Sequence, residues 1–455
     1  MNATLAFPVP FKSRFSGLIE SSHVQDGVFA ALILASRIPA NLGMTGGLIC
    51  LVLTGIYGAL RVRQSRDLLS RCWLQLSFPI FALLSVTWAV YPMVTLRASV
   101  QMTLTAFAGL LLSQTPRPRA VLVGLFVAYA GYTVASLIVG HSRPEGIDGT
   151  LSLYGLGGEA KNYFADTSGT AVLLALTMLA ACIERRAFAL ATLSATVIAA
   201  CGLATVRAHS AGATSALLLA SMLLSVLLLF RGCSSGSKLI FAAVLGGAMI
   251  ICVIFFQPIL ALVQELSAKD SGLTGRGYLW YRGDFIIAER PWLGVGYFGF
   301  WTPENPDAIG LWRYFDVRQE GTAFSFHNSY IQTLVETGRI GLGVMVMCWI
   351  IGITALLRRF VLTPSLPTCF WLGYIALQLS KSPVEPIRPS ALIAPTIMLF
   401  AGLGFGFFPV GRNRHQFGTA SRRLSSSRSM ASSDIPLLSD MSSEEIRLIA
   451  PAIRM

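Results

Sequence analysis

Apolar stretches of roughly 17 to 25 residues, the length a helix needs to cross about 30 Å of hydrocarbon, recur along nearly the whole chain. About twelve can be counted, centred near residues 35, 52, 80, 103, 130, 175, 196, 221, 247, 348, 373 and 399. The pattern predicts an all-α polytopic membrane protein with one large loop, from about residue 257 to 327, between helices 9 and 10. In the first pair, RIPANLGMTGG at 37 to 47 reads either as a turn between short helices or as a kink in a longer one. Residues 1–26 are polar and show no short apolar core ahead of a small-residue cleavage pattern, so no cleavable signal peptide is expected. The helical region spans 27–410, and the Ser-rich segment 411–455 reads as a disordered tail whose arginines suit anionic lipid.

Composition supports the same class. Of 455 residues, 54% are hydrophobic and 13% charged, with a mean hydropathy of +0.64. So much apolar surface excludes an ordinary soluble enzyme. The placement of the basic residues predicts orientation, because short cytoplasmic loops collect Lys and Arg. Arg61, Arg63, Arg66 and Arg71; Arg117 and Arg119; Arg185 and Arg186; Arg231 and Lys238; and Arg358 and Arg359 occupy every second connection. Both termini are therefore expected in the cytoplasm and the long loop outside. The eight cysteines fall within the apolar spans or at their cytoplasmic ends. They imply packing rather than a disulfide framework or a zinc site.

The informative cations are those on the outer side, against the bias: Arg97, Arg143, Lys161, Arg207, Arg276, Arg282, Arg290, Arg313, Arg318, Lys381 and Arg388. Acids such as Asp148, Glu159, Asp166, Glu265, Asp270, Asp284 and Glu289 can neutralise some of them within the protein. As a set, the cations suit a polyanionic ligand at the outer leaflet, for which a lipid diphosphate is the natural candidate. In LTGRGYLWYRGDFIIAERPW, Thr274 is placed to cap a helix running to about Glu289, with Arg276 in its first turn. Free backbone donors and a planar guanidinium favour phosphate there. Trp280, four residues on, shares that face and could stack on Arg276. A surface helix whose tryptophans mark headgroup depth is the competing reading.

In HNSYIQTLVETGRIGLG, His327 precedes a short helix that Asn328 or Ser329 could cap and Gly338 could end. The helix N-terminus keeps the ring neutral, and a neutral imidazole can accept a proton from a hydroxyl or orient it. A capped interface histidine is the plainer alternative. Trp301, Trp312, Tyr314 and Phe315 lie in the same loop and offer faces for sugar rings or lipid headgroups.

The stretches TGRGYLWYRGDFIIAERPWLGVGYFGFW and FHNSYIQTLVETGRIGL resemble the signature of the O-antigen ligase and polymerase superfamily, membrane glycosyltransferases of the Wzy/WaaL type. SVTWAVYPMVTLRASVQMTLT at 85 to 105 and GGEAKNYFADTSGTAV at 157 to 172 are similar to further stretches of that family, nearest its exopolysaccharide-production polymerase branch. The resemblance implies a GT-C-like fold and transfer of glycan from an undecaprenyl diphosphate carrier to a hydroxyl. It implies no metal, cofactor or nucleic acid. It gives Arg276 the diphosphate and His327 the acceptor. The family's mid-chain basic residue corresponds here to Arg207, the nearest cation in TVRAHSAGATSALLL, or its position aligns with Gly212 or Ala213. Arg97, Lys161, Asn162, Trp280, Arg282 and Asn328 are the expected substrate-binding residues. The expected partners are the undecaprenyl-diphosphate-linked oligosaccharide, the bilayer, a flippase and a chain-length regulator. A ligase acting on lipid A core is the near rival. A lipid-glycan transporter is a remoter one, disfavoured because the cations gather at one face.

Overall fold

The computed structural model describes residues 22–145, 149–254, 275–317, 324–385 and 390–408. Thr274, Arg318, Arg388, Cys252's side chain and the tail beyond Phe408 lie outside the residues so described, as do the acids Asp148, Glu265 and Asp270.

The helices are α1 (Ser22–Ala35), α2 (Gly43–Leu60), α3 (Val62–Cys72), α4 (Ser77–Leu84), α5 (Pro92–Ser113) and α6 (Pro118–Val139). There follow α7 (Lys161–Glu184), α8 (Phe188–Arg207), α9 (Ala211–Phe230), α10 (Ser235–Ile254), α11 (Arg276–Glu289), α12 (Pro306–Tyr314), α13 (Ser329–Leu362), α14 (Leu366–Lys381) and α15 (Ala394–Phe405). Among the described residues, eight segments are long and apolar enough to cross a membrane, and three shorter apolar helices accompany them. The protein is thus an all-α multi-pass membrane protein. The connection between α1 and α2 is short and includes a 3-10 turn, Ala40–Leu42, and residues 43–47 already belong to α2. The expected span near residue 80 is not one smooth helix, because two 3-10 turns, Trp73–Leu76 and Ser85–Thr87, flank α4. A small hairpin that run length could not reveal, β1 (Ser142–Glu145) against β2 (Thr150–Leu153), fills the connection after α6.

Helices approach closely where small residues allow it. A Cβ on Gly124 of α6 would sit 2.0 Å from the carbonyl oxygen of Gly27 on α1, which is how small residues bring membrane helices together without a hydrophobic drive between them.

Side-chain contacts distinguish the two ends of the bundle. At one end Arg61 pairs with Asp26 at 2.9 Å, Arg231 pairs with Glu184, and Arg359 donates to the carbonyl of Phe408 at 2.6 Å. This end carries the alternating basic connections. At the other, Arg37 donates to the carbonyl of Leu392, Glu159 accepts from the amide of Ala40, and Trp88 donates to the carbonyl of Leu293.

The long loop carries a core of its own rather than lying open. Leu279 and Ile286 of α11, Leu311 and Trp312 of α12, and Phe300, Trp301 and Phe326 between them are buried together. A side chain of this size contributes on the order of 2 kcal/mol when fully buried. Trp301 and Trp312 are therefore packing residues and present no face to a sugar. Tyr314 is exposed and stacks on Tyr278 at 4.3 Å between ring centroids.

The loop is fastened to α13 through a break. Gly338 has φ 65° and ψ −170°, a region that only glycine occupies readily. The interruption releases amides and carbonyls that need partners. The amides of Arg339 and Ile340 donate to the carbonyls of Pro291 and Trp292, and the carbonyls of Val335 and Glu336 accept from the amides of Val295 and Gly296. A Cβ at Gly338 would lie 2.2 Å from the carbonyl carbon of Trp292. Gly338→Ala is expected to cost at least about 1–3 kcal/mol from strain alone, with the contact adding to it. The change should appear as a lower melting temperature in detergent; an unchanged one would mean that the break is not required.

Candidate functional site

The site is built on the turn that follows α14. The amides of Val384 and Glu385 both donate to the carbonyl of Lys381 at 2.9 Å, which curls the chain back over the helix end. Lys381 itself is buried and ion-paired with Asp166 of α7, whose carboxylate also accepts from Gln378 at 3.0 Å. Charges removed from water cost several kcal/mol each unless paired. The pair thereby holds the end of α14 against the first turns of α7. Lys381 is neutralised inside the protein and is not a free outer cation.

On this anchored turn the Glu385 carboxylate draws three elements together. Its Oε1 accepts from Arg276 Nη2 at 2.8 Å and from Asn162 Nδ2 at 2.8 Å, and its Oε2 lies 3.4 Å from His327 Nδ1. Arg276 Nη1 donates to the carbonyl of Val384 at 2.6 Å. Ser329 closes the arrangement from α13: its hydroxyl donates to the carbonyl of Glu385 at 2.8 Å and its amide to that of Ser382. The side chains of Arg276, Glu385 and His327 keep 21%, 18% and 30% of their surface exposed, so the cluster is sheltered but open to a ligand. Burial raises the Glu385 carboxyl, but the hydrogen bond from His327 and the charge and hydrogen bond of Arg276 outweigh it and hold the carboxyl below its ordinary value.

His327 adopts a left-handed backbone with φ 48°, uncommon outside glycine and characteristic of constrained positions. It is held from both sides. Trp280 Nε1 donates to the carbonyl of Phe326 at 2.9 Å, and the Asn328 side chain caps α13 by accepting from the amides of Tyr330 and Ile331. Buried Gln332 accepts from the Phe326 amide and from Trp301 Nε1, tying this turn to the loop core.

The structure thus brings together Arg276, His327 and Asn162, with Trp280 and Asn328 supporting the His327 turn. Several expectations change. Arg276 opens α11 as anticipated, but the residue before it, Gly275 with φ 87°, is the N-cap and supplies no side-chain bond. Trp280 is drawn to a carbonyl and Arg276 to a carboxylate and a carbonyl, because directed polar bonds outweigh stacking between them. Arg282 pairs with Asp307 on the surface at 3.1 Å. Arg97 and Arg207 are exposed, and among the described residues no hydrogen bond or ion pair links either to Arg276, His327 or Glu385. Gly212 faces Val384, whose Cγ2 would lie 3.9 Å from a Cβ there. This places the alternative alignment of the mid-chain basic residue beside the site. Lys161 is the first residue of α7 and half-buried, next to Asn162. Among the described residues no group of three His, Cys, Asp or Glu side chains forms a metal-ligand set.

Glu385 is the residue that the sequence reading missed. Its only local signal is KSPVEPIRPS, a Pro-rich connection with an acid between two cations, joining two apolar helices at the site end.

These features define a class: a multi-pass helical membrane protein with an arginine, a histidine and a carboxylate converging at the end of the bundle opposite its basic connections. The sequence comparisons then show what the chain is similar to. Residues 195–346 match the family Wzy_C, described as O-Antigen ligase, a region that contains Arg207, Arg276, Trp280, Arg282, His327 and Asn328 and ends before Glu385. The chain is 28% identical over 286 residues to the Exopolysaccharide production protein ExoQ of Rhizobium meliloti (strain 1021), a match covering 63% of this chain and 65% of that protein. The chain is thus similar to the O-antigen ligase family over residues 195–346 and to ExoQ over 63% of its own length.

Proposed function

We propose that the protein is a polymerase that joins undecaprenyl-diphosphate-linked oligosaccharide repeat units into exopolysaccharide or O-antigen. It acts at the periplasmic face of a bacterial inner membrane, with both termini in the cytoplasm. The observation that carries this reading is the convergence of Arg276 and His327 on one carboxylate, each at a helix start, at the end of the bundle away from the alternating basic connections.

The chemistry is a single displacement. The acceptor hydroxyl oxygen bonds to the anomeric carbon of the donor sugar as the bond from that carbon to the diphosphate oxygen breaks. The electron pair leaves with the diphosphate, and the hydroxyl proton passes to His327. Negative charge grows on the leaving group, where preorganised donors have the most effect. Arg276 meets it with a guanidinium already fixed by the carbonyl of Val384. Lys161 and Arg207 are candidates for further contacts to the carrier, with Arg97 serving a second carrier on the outer surface. Asn162 borders the donor, whereas Trp280 and Asn328 hold the His327 turn. Arginines take the place that a divalent cation holds in other phosphate chemistries, so no metal is required. A flippase that delivers the repeat units and a regulator of chain length are the partners this role calls for.

The family description favours a second reading, a ligase that delivers finished glycan to lipid A core. Sizing the glycans on carrier lipid after deletion of the protein separates the two. Single repeats are expected for a polymerase, and long lipid-linked chains would establish the ligase instead. The facing of the site is tested by labelling. Cysteine introduced at Asp307 is expected to react with an impermeant external thiol reagent while one at Ser65 is protected; the reverse pattern would put the site in the cytoplasm.

A further inference from the structure

We infer that Glu385 is a positioning residue coupling the two halves of the site, so that a diphosphate bound at Arg276 releases the Glu385 carboxylate to His327 and readies the acceptor base only when donor is present. The inference rests on the donor reading proposed above.

The geometry carries it. The carboxylate is divided unequally, with 2.8 Å to Arg276 and to Asn162 but 3.4 Å to His327, at the long end of hydrogen bonding. Oε1 is thus held by the guanidinium and by the Asn162 amide, and this placement of the carboxylate leaves Oε2 at 3.4 Å from the imidazole. The Glu385 backbone cannot follow either partner, because its amide is bonded to Lys381 and its carbonyl to Ser329. Only the side chain is free to redistribute. Arg276 is fixed independently through Nη1 to the carbonyl of Val384, so the guanidinium can exchange the partner of Nη2 without leaving its place. Two phosphate groups carry more negative charge than one carboxylate and compete for that nitrogen.

Once released, the carboxylate can close on Nδ1. This fixes Nε2 as the nitrogen that meets the acceptor hydroxyl, and it stabilises the imidazolium formed when the proton arrives, the role a buried carboxylate plays behind a catalytic histidine elsewhere. Linkage requires the converse as well: a carboxylate that competes with the donor weakens donor binding. The charged groups around the imidazole are Glu385 directly, Arg276 through it, the Asp166–Lys381 pair beneath the turn, and Lys161 beside Asn162.

The test uses the full chain in nanodiscs, with undecaprenyl diphosphate as the probe and 15N-labelled histidine. The chain has five histidines, and His327→Asn identifies the signal of interest. Adding the probe is expected to shift the His327 ring signals in the wild type but not in Glu385→Gln, although Glu385→Gln binds the probe more tightly. With lipid-linked oligosaccharide from deletion cells as donor, Glu385→Gln should lower kcat by about 10- to 100-fold, the scale on which supporting-shell partners act, while KM falls. Glu385→Asp should restore part of kcat. A His327 signal that stays put in the wild type while the probe binds would overturn the coupling. So would a shift in Glu385→Gln equal to that of the wild type, or a KM that rises. Probe binding that is absent, or indifferent to Arg276→Ala, would instead overturn the donor reading and this inference with it.

Discussion

Arg276→Lys is expected to lose transfer activity almost as completely as Arg276→Ala, with both proteins present in the membrane at ordinary levels. The guanidinium reaches two partners from two nitrogens, the carbonyl of Val384 at 2.6 Å and the carboxylate of Glu385 at 2.8 Å. A lysine ammonium is a point charge and cannot span both while also facing a phosphate. Removing one preorganised donor to developing charge typically costs 10²- to 10³-fold in turnover. The alanine variant also leaves Glu385 without its strongest partner, so its loss should be at least about that size. Activity within a few-fold of wild type in the lysine variant would show that charge alone suffices and that the fork has no role.

His327→Ala is expected to lower turnover by about 10²- to 10⁴-fold, the usual worth of a positioned general base, with a much smaller effect on donor affinity. The donor contacts assigned to Arg276 and Asn162 remain in that variant, so the loss should fall on kcat. The wild-type rate should also decline toward acid, because a base must be free to accept the hydroxyl proton. Glu385 does not confuse that profile. Its folded carboxyl lies below the ordinary value of 4.5, so what it contributes to stability is fully present above 4.5 and is lost only as pH falls through the lower folded value. An acid-side decline well above that range therefore does not come from Glu385. Full rate in His327→Ala with an unchanged profile would reduce the residue to a capped turn.

Much of this architecture was legible because membrane physics writes it in one dimension. Run length marks the spans, and the basic connections separate the two ends. Arg276 at a helix start, the Asn328 cap and the interruption at Gly338 are all local patterns, and each stands where the sequence placed it. What was illegible depends on distant contacts. Glu385 lies 109 residues from Arg276 and 58 from His327, and nothing near it announces either partner. Trp280 was paired with Arg276 by helical spacing, but the carbonyl of Phe326 claims its indole. Trp301 and Trp312 looked available to sugars until the loop proved to have an apolar core. The 3-10 turns flanking α4 and the pairing of β1 with β2 sit in segments whose composition suits several local structures. Arg207 resembled the mid-chain cation by type, whereas Gly212, at the start of α9, is the position that lies beside Val384.

The most direct test of the proposed chemistry is transfer by the purified full-length protein in nanodiscs. The donor is the lipid-linked oligosaccharide extracted from cells lacking the protein, and products are sized with EDTA present. Longer lipid-linked glycans are predicted, formed at the same rate with or without EDTA and absent with Arg276→Ala. Donor recovered at its original size, or growth that appears only when Mg²⁺ is restored, would contradict a lipid-diphosphate glycosyltransferase that works through its own arginine.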